Sequence, residues 1–262
     1  VGMHADIVVQ QSTFRGGRDG VYLHRADGTV VRDNTFRDGR FGTHLMYTSS
    51  TLVADNVARD QLYAGVVVMT NPVDNAMVGN DVRDSGSGIM MAGSRSYIAH
   101  NVVANTSRGL SANAGRSRYE HNVVYGNEIG IVAATVLPSN AVTENDFVAN
   151  DRHAISGPGP LRWYTHDGRG NYWSGAYDLA TDSGGTLAQS YSPTDPVDRR
   201  LHRTDAAVVL RSAPSVRALR TLRGTTPGFR RGSIADTQPL AEPANPKTLA
   251  MVRNETTTEG AP

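Results

Sequence analysis

His44 and Met46 stand two residues apart in the segment Gly42-Thr43-His44-Leu45-Met46, with His24 one repeat earlier and Met69 one repeat later. Residues i and i+2 of a β-strand share one face, about 7 Å apart along the backbone. Met90 belongs to the following copy of the repeat, and Met3 and His4 to an incomplete earlier one. Imidazole binds copper well, and the thioether is a soft, weak donor that favours Cu(I); hard oxygen ligands of the kind that hold calcium or magnesium are missing from this set. The chain contains no cysteine, so disulfides, zinc fingers and thiolate chemistry are excluded. A site of this composition is expected to bind copper as Cu(I), and transiently, which suits transfer rather than storage. A second reading stays open, in which outward Met and His form an apolar groove beneath a loop or a partner.

What must position these residues is a motif that returns six times. Its copies open at Gly20, Gly42, Gly65, Gly88, Gly109 and Gly130, at spacings of 22, 23, 23, 21 and 21 residues. They pass through Asn34, Asn56, Asn80, Asn101, Asn122 and Asn145. A fixed period in this range marks stacked supersecondary units, none able to bury its apolar face alone. One and three places after the glycines stand Val21/Leu23, Thr43/Leu45, Val66/Val68, Ile89/Met91, Leu110/Ala112 and Ile131/Ala133. Strand side chains alternate between faces, so these pairs point into a shared interior. A second apolar column runs Val31, Val53, Met77, Ile98, Tyr119, Val142, and a third Phe36, Ala58, Val82, Val103, Val124, Phe147. Short strands at this period predict an all-β fold, a parallel β-helix whose coils stack about 4.8 Å apart. The asparagines then form a structural ladder at a turn, where their side chains bond the backbone and tolerate left-handed geometry. Positions two and four after each glycine face outward, and in the first four coils they hold Tyr22/His24, His44/Met46, Val67/Met69 and Met90/Ala92. The candidate donors thus share one exposed wall. His100 and His121 stack on another edge, where surface histidine is the simpler reading, and His153, His166 and His202 follow no column.

The totals agree with a turn-rich β architecture: 39% of the 262 residues are hydrophobic, 27 are glycine, and the formal net charge of +1 points to no nucleic-acid partner. No apolar run reaches the ~18 residues of a membrane span. Val1-Gly2-Met3 reads like the inside of a repeat, so a signal peptide is expected to have been cut away with the preceding sequence. Residues 1–177 are assigned to the solenoid and 178–262 to a C-terminal extension. The ladder fades after Asn150, with Gly168 to Trp173 as a closing coil. Residues 198–231 carry nine arginines. Thr204 caps one short basic helix and Ser215 another, ending at Gly224. This amphipathic stretch either docks on a partner or membrane surface or packs back on the solenoid. The last twenty or so residues, with Pro239, Pro243, Pro246 and Thr256 to Thr258, read as a disordered tail.

The segment Arg40-Phe41-Gly42-Thr43-His44-Leu45-Met46-Tyr47 resembles the G-x-H-L-M-Y coil of the NosD family. Gly20 to Ala26 and Gly170-Asn171-Tyr172-Trp173-Ser174 are similar to it too, so the likeness covers roughly residues 2–175. The resemblance implies a right-handed parallel β-helix that belongs to a periplasmic copper-handling complex, and the protein itself is expected to catalyse nothing. It further implies work beside the permease and ATPase subunits of an ABC transporter, copper received from a chaperone lipoprotein, and service to the copper centres of nitrous-oxide reductase during their maturation. By matching position it points to His44 and Met46, then His24, and makes Val208 to Leu222 a docking segment for the permease. The run from Gly175 to Asp182 departs from the Asp- and Gly-rich sequence that often follows in the family. Parallel β-helices also host polysaccharide lyases and glycosidases. Such an enzyme needs paired carboxylates, for which Asp33, Asp55, Glu120 and Glu144 are the outward candidates.

Overall fold

The structure, a computed structural model, describes residues 7–113, 115–133, 140–156, 161–162, 168–176, 181, 184–194, 215 and 234–259. Each coil lays down three short strands, one in each of three sheets. The first sheet runs from Val8–Gln10 to Ala141–Thr143 in seven strands, and the second from Thr13–Arg15 to Tyr172–Trp173 in eight. The third runs from Asp19–His24 to Arg152–Ser156, again in seven. Successive coils pair in parallel, Val31 against Val53 and Leu23 against Leu45. This is the parallel β-helix that the repeat predicts. All three apolar columns are buried, and they join one continuous core from Val21 to Trp173 and Tyr191.

The asparagine ladder forms as expected and runs further. From Asn56 onward each side chain accepts from the backbone N–H and the amide of the asparagine one coil earlier, both at 3.0 Å for Asn56 accepting from Asn34, while Asn34 itself accepts from the Ser12 N–H. The residue preceding each rung turns through left-handed geometry at Asp33, Asp55, His100, His121 and Glu144. Those two aspartates are therefore turn residues, as the Asp-Asn pairs imply. Beyond Asn145 the ladder continues through Asn171 and ends on Asp236, whose carboxylate accepts from the Asn171 N–H (2.7 Å) and the Trp173 indole (2.9 Å). Burial pushes the Asp236 carboxyl up, against the pull of the donors from Trp173, Asn171 and Gln238. No period betrays this last rung, because it arrives from distant sequence.

At the corner where the third sheet begins, the glycines permit the closest approach of successive coils. A Cβ on Gly88 would collide with the Val103 side chain and the Gly109 carbonyl oxygen. We expect Gly88→Ala to destabilise the fold by about 1–3 kcal/mol, read as a lower urea midpoint at constant slope.

The closing residues correct the expectation of disorder. Pro246–Glu259 is a helix, with proline in its first turn, where the missing N–H costs nothing. Its Leu249 and Val252 cover Ala104, Val123 and Val148 on the outer face of the second sheet. Just before it, the N–H groups of Ala244 and Asn245 donate to Asp146 at 2.7 and 2.8 Å. Arg83 pairs with Glu255 at the other end. Composition alone hid this helix because its apolar partner is a sheet face, not its own sequence. Apart from Ser215, the two basic helices lie outside the described residues, as does the Gly157 to Pro160 break.

Candidate metal centre

Three neighbouring strands of the third sheet, Asp19–His24, Phe41–Met46 and Ala64–Met69, carry the candidate donors. Register aligns His24 with Met46 and Met46 with Met69, while Tyr22, His44 and Val67 align two residues earlier. Since Leu23, Leu45 and Val68 fill the core, alternation turns His24, Met46 and Met69 outward in one column. His24 is exposed, Met46 half-buried, and Met69 44% exposed. Met90 aligns with Val67. It therefore stands two rungs, roughly 10 Å, from His44 and is not brought against it. Met3 and His4 lie outside the described residues.

His44 differs from its expected exposure. It sits on the outward side of the strand, yet only 6% of it is exposed. The Tyr22 ring meets it edge-on at 5.1 Å and the Phe41 ring lies 4.8 Å away, so aromatic neighbours roof it over. Neither ring nitrogen has a hydrogen-bond partner. Nδ1 lies 3.4 Å from Asp19 Oδ1, within ion-pair range but without hydrogen-bond alignment. Asp19 in turn faces Arg18 at 3.3 Å and Arg40 at 3.9 Å. Asp19 Oδ1, Arg40 Nε and both His44 nitrogens thus make one knot of buried, unbonded polar atoms. Buried polar groups are almost always paired; a knot of unpaired ones marks a place where something else binds or where order is held for a purpose. Sequence reading missed Asp19, which precedes a repeat glycine and looks like ordinary turn chemistry.

The remaining contacts tie the donors together. The Tyr22 hydroxyl donates to Met46 Sδ at 3.4 Å. His24 stacks beside Tyr22 at 6.3 Å and meets Tyr47 edge-on at 5.5 Å. Among the described residues, no three His, Cys, Asp or Glu side chains gather closely enough to hold a metal ion. Any cation here therefore depends on thioethers, and the fit is to a soft one. Elsewhere, His100 and His121 stack face to face at 5.1 Å on the opposite edge. Burial, and then the charge of His121, pulls the His100 pKa down. His153 is buried, its Nε2 2.7 Å from the Ser174 carbonyl oxygen.

Comparison with known proteins gives the family to which this solenoid belongs. Residues 3–178 match the family model described as "Periplasmic copper-binding protein (NosD)". The chain belongs to the NosD family. A relative from Stutzerimonas stutzeri, named "Probable ABC transporter binding protein NosD", is 29% identical over 132 residues, 50% of this chain and 30% of that protein. A relative of the same name from Pseudomonas aeruginosa is 29% identical over 112 residues, 43% of this chain and 26% of that protein. The chain thus aligns with about a third or less of each relative's length. Within the NosD stretch fall His24, His44, Met46, Met69 and Met90. No helix of the described residues is long and apolar enough to cross a membrane. Of the four carboxylates that the lyase reading offers, Glu120 is clamped on both oxygens by Arg118 at 2.8 and 2.9 Å, and Glu144 accepts from Arg169 at 2.7 Å.

Proposed function

We propose that this protein is a periplasmic copper carrier without catalysis of its own, holding Cu(I) on the wall formed by His24, Met46 and Met69 with His44 beneath. The observation that carries the reading is the in-register donor column beside a buried imidazole whose two nitrogens are unbonded. Its membership of a family described as periplasmic copper-binding supports it. Thioethers select Cu(I) over hard cations, and without cysteine they release it to a stronger acceptor. The sheet fixes the backbone of every donor, so loading needs side-chain movement only. Met90 extends the same wall, and Met3 and His4 are assigned to copper from their sequence alone. In this reading a chaperone lipoprotein supplies the copper, the permease and ATPase of an ABC transporter form the docking partner, and nitrous-oxide reductase is the recipient whose copper centres mature. The names of the relatives support the transporter partnership. Residues 1–177 act as the carrier body, and Val208 to Leu222 is the segment that docks on the permease.

The test is in the cell. Introducing His24→Ala with Met46→Leu at the chromosomal locus is expected to leave nitrous-oxide reductase present but deficient in copper, measured on the purified reductase. Full copper occupancy in that strain rejects the proposal.

A further inference from the structure

We propose that Tyr22 is the gate of this site: its ring lies over His44 and its hydroxyl engages the Met46 sulfur, so a soft cation reaches both donors only when the tyrosine swings outward. The inference deepens the copper reading and rests on it.

Tyr22 touches three of the four central donors, with contacts of 5.1 Å between rings to His44, 6.3 Å to His24, and 3.4 Å from Oη to Met46 Sδ. A thioether is a weak acceptor, and the phenol that stands against the Met46 sulfur at 3.4 Å occupies the side from which a metal shared with His44 would approach it. Two rings cover His44, but only one is free to move. Phe41 is half-buried and held by the Arg40 guanidinium 4.7 Å from its ring and by Tyr63 at 5.6 Å. Tyr22 is 48% exposed, and its hydroxyl is held only by the sulfur among the described contacts. Rotation of Tyr22 about its side-chain bonds would uncover the His44 ring and vacate the sulfur together. Its return would push on a bound ion at both donors, which favours handover.

Two variants divide these actions. Tyr22→Phe keeps the roof over His44 and deletes the contact to sulfur; Tyr22→Ala removes both. Without metal, carbethoxylation of His44 by diethyl pyrocarbonate, followed by peptide mass spectrometry, is expected to be slow in the wild type and in Tyr22→Phe but several-fold faster in Tyr22→Ala. In competition with a chromophoric Cu(I) chelator, Tyr22→Phe is expected to bind Cu(I) about three- to tenfold more tightly than the wild type. Met46→Leu in the same titration reports on the copper reading itself. Unchanged binding in Met46→Leu, or no binding by the wild type, sinks that reading and the gate with it. Weakened binding in Met46→Leu together with wild-type affinity in Tyr22→Phe, or a slow His44 in Tyr22→Ala, overturns the gate alone.

Discussion

Asn101→Leu is expected to lower the melting temperature by about 10 °C, given the roughly 2–4 °C that each kcal/mol is worth in a chain of this size. Asn101 is fully buried in the middle of the ladder. Its Oδ1 accepts from the Asn80 N–H at 2.9 Å and the Asn80 amide at 3.0 Å. Its own amide donates to the Met77 carbonyl and to Asn122 Oδ1, both at 2.9 Å. Leucine matches the volume but leaves the Asn80 N–H without its acceptor and takes one bond each from the Asn80 amide, the Met77 carbonyl and Asn122 Oδ1, which keeps the Asn101 N–H at 3.0 Å. The orphaned N–H costs about 1–3 kcal/mol and each further lost bond about 0.5–1.5 kcal/mol, which together outweigh any gain from the added apolar surface. Because the rungs couple neighbouring coils, the loss is felt on both sides. Differential scanning calorimetry reads the effect, and a shift of only a degree or two would mean that the ladder is ornament and that the apolar columns alone hold the coils in register.

Replacing His24, Met46 and Met69 together by Ala, Leu and Leu is expected to weaken Cu(I) binding by at least about 100-fold. Loss of outer-shell partners alone costs metal sites about 10–100-fold, and three donors are removed here. The fold should survive. His24 and Met69 are exposed, where substitutions usually stay within about 0.5 kcal/mol, and Met to Leu conserves volume at Met46. The choice of leucine also separates the two readings of the wall. An apolar groove keeps its greasiness when methionine becomes leucine, so a partner that docks there for hydrophobic reasons remains bound. A copper site keeps nothing. Competition against a Cu(I) chelator decides, and retention of wild-type affinity by the triple variant removes these side chains from the chemistry.

How much of this could be read from the letters alone follows from how local each cause is. The glycine and asparagine spacings name the coil, and the alternating Val, Leu and Ile beside them name its interior, because the first recurs at a fixed period and the second follows from strand alternation. The same spacing placed His24, Met46 and Met69 in one outward column. It could not reveal that His44 is roofed, because that depends on rings from a neighbouring coil and on the direction in which Phe41 leans. Nor could it foresee Asp236 as the last rung, or the sheet face that makes a helix of Pro246–Glu259. In both of these last cases the partner lies far away in sequence and carries no period. Asp19 escaped for another reason: an aspartate ahead of glycine is so ordinary at turns that its approach to an imidazole leaves no trace in the alphabet.

The tolerance of this architecture for uneven coils has a consequence for how its cargo preference could change. Successive ladder residues are separated by varying lengths, yet Met46 still meets Met69 and Val67 still meets Met90. Spare residues are absorbed at the bends, leaving the flat walls as a grid of fixed sockets. A different ion, or a longer track of stepping stones for the same one, then needs only new pegs at accessible positions such as Ala92. Selection can rewrite the wall one socket at a time without re-engineering the building behind it.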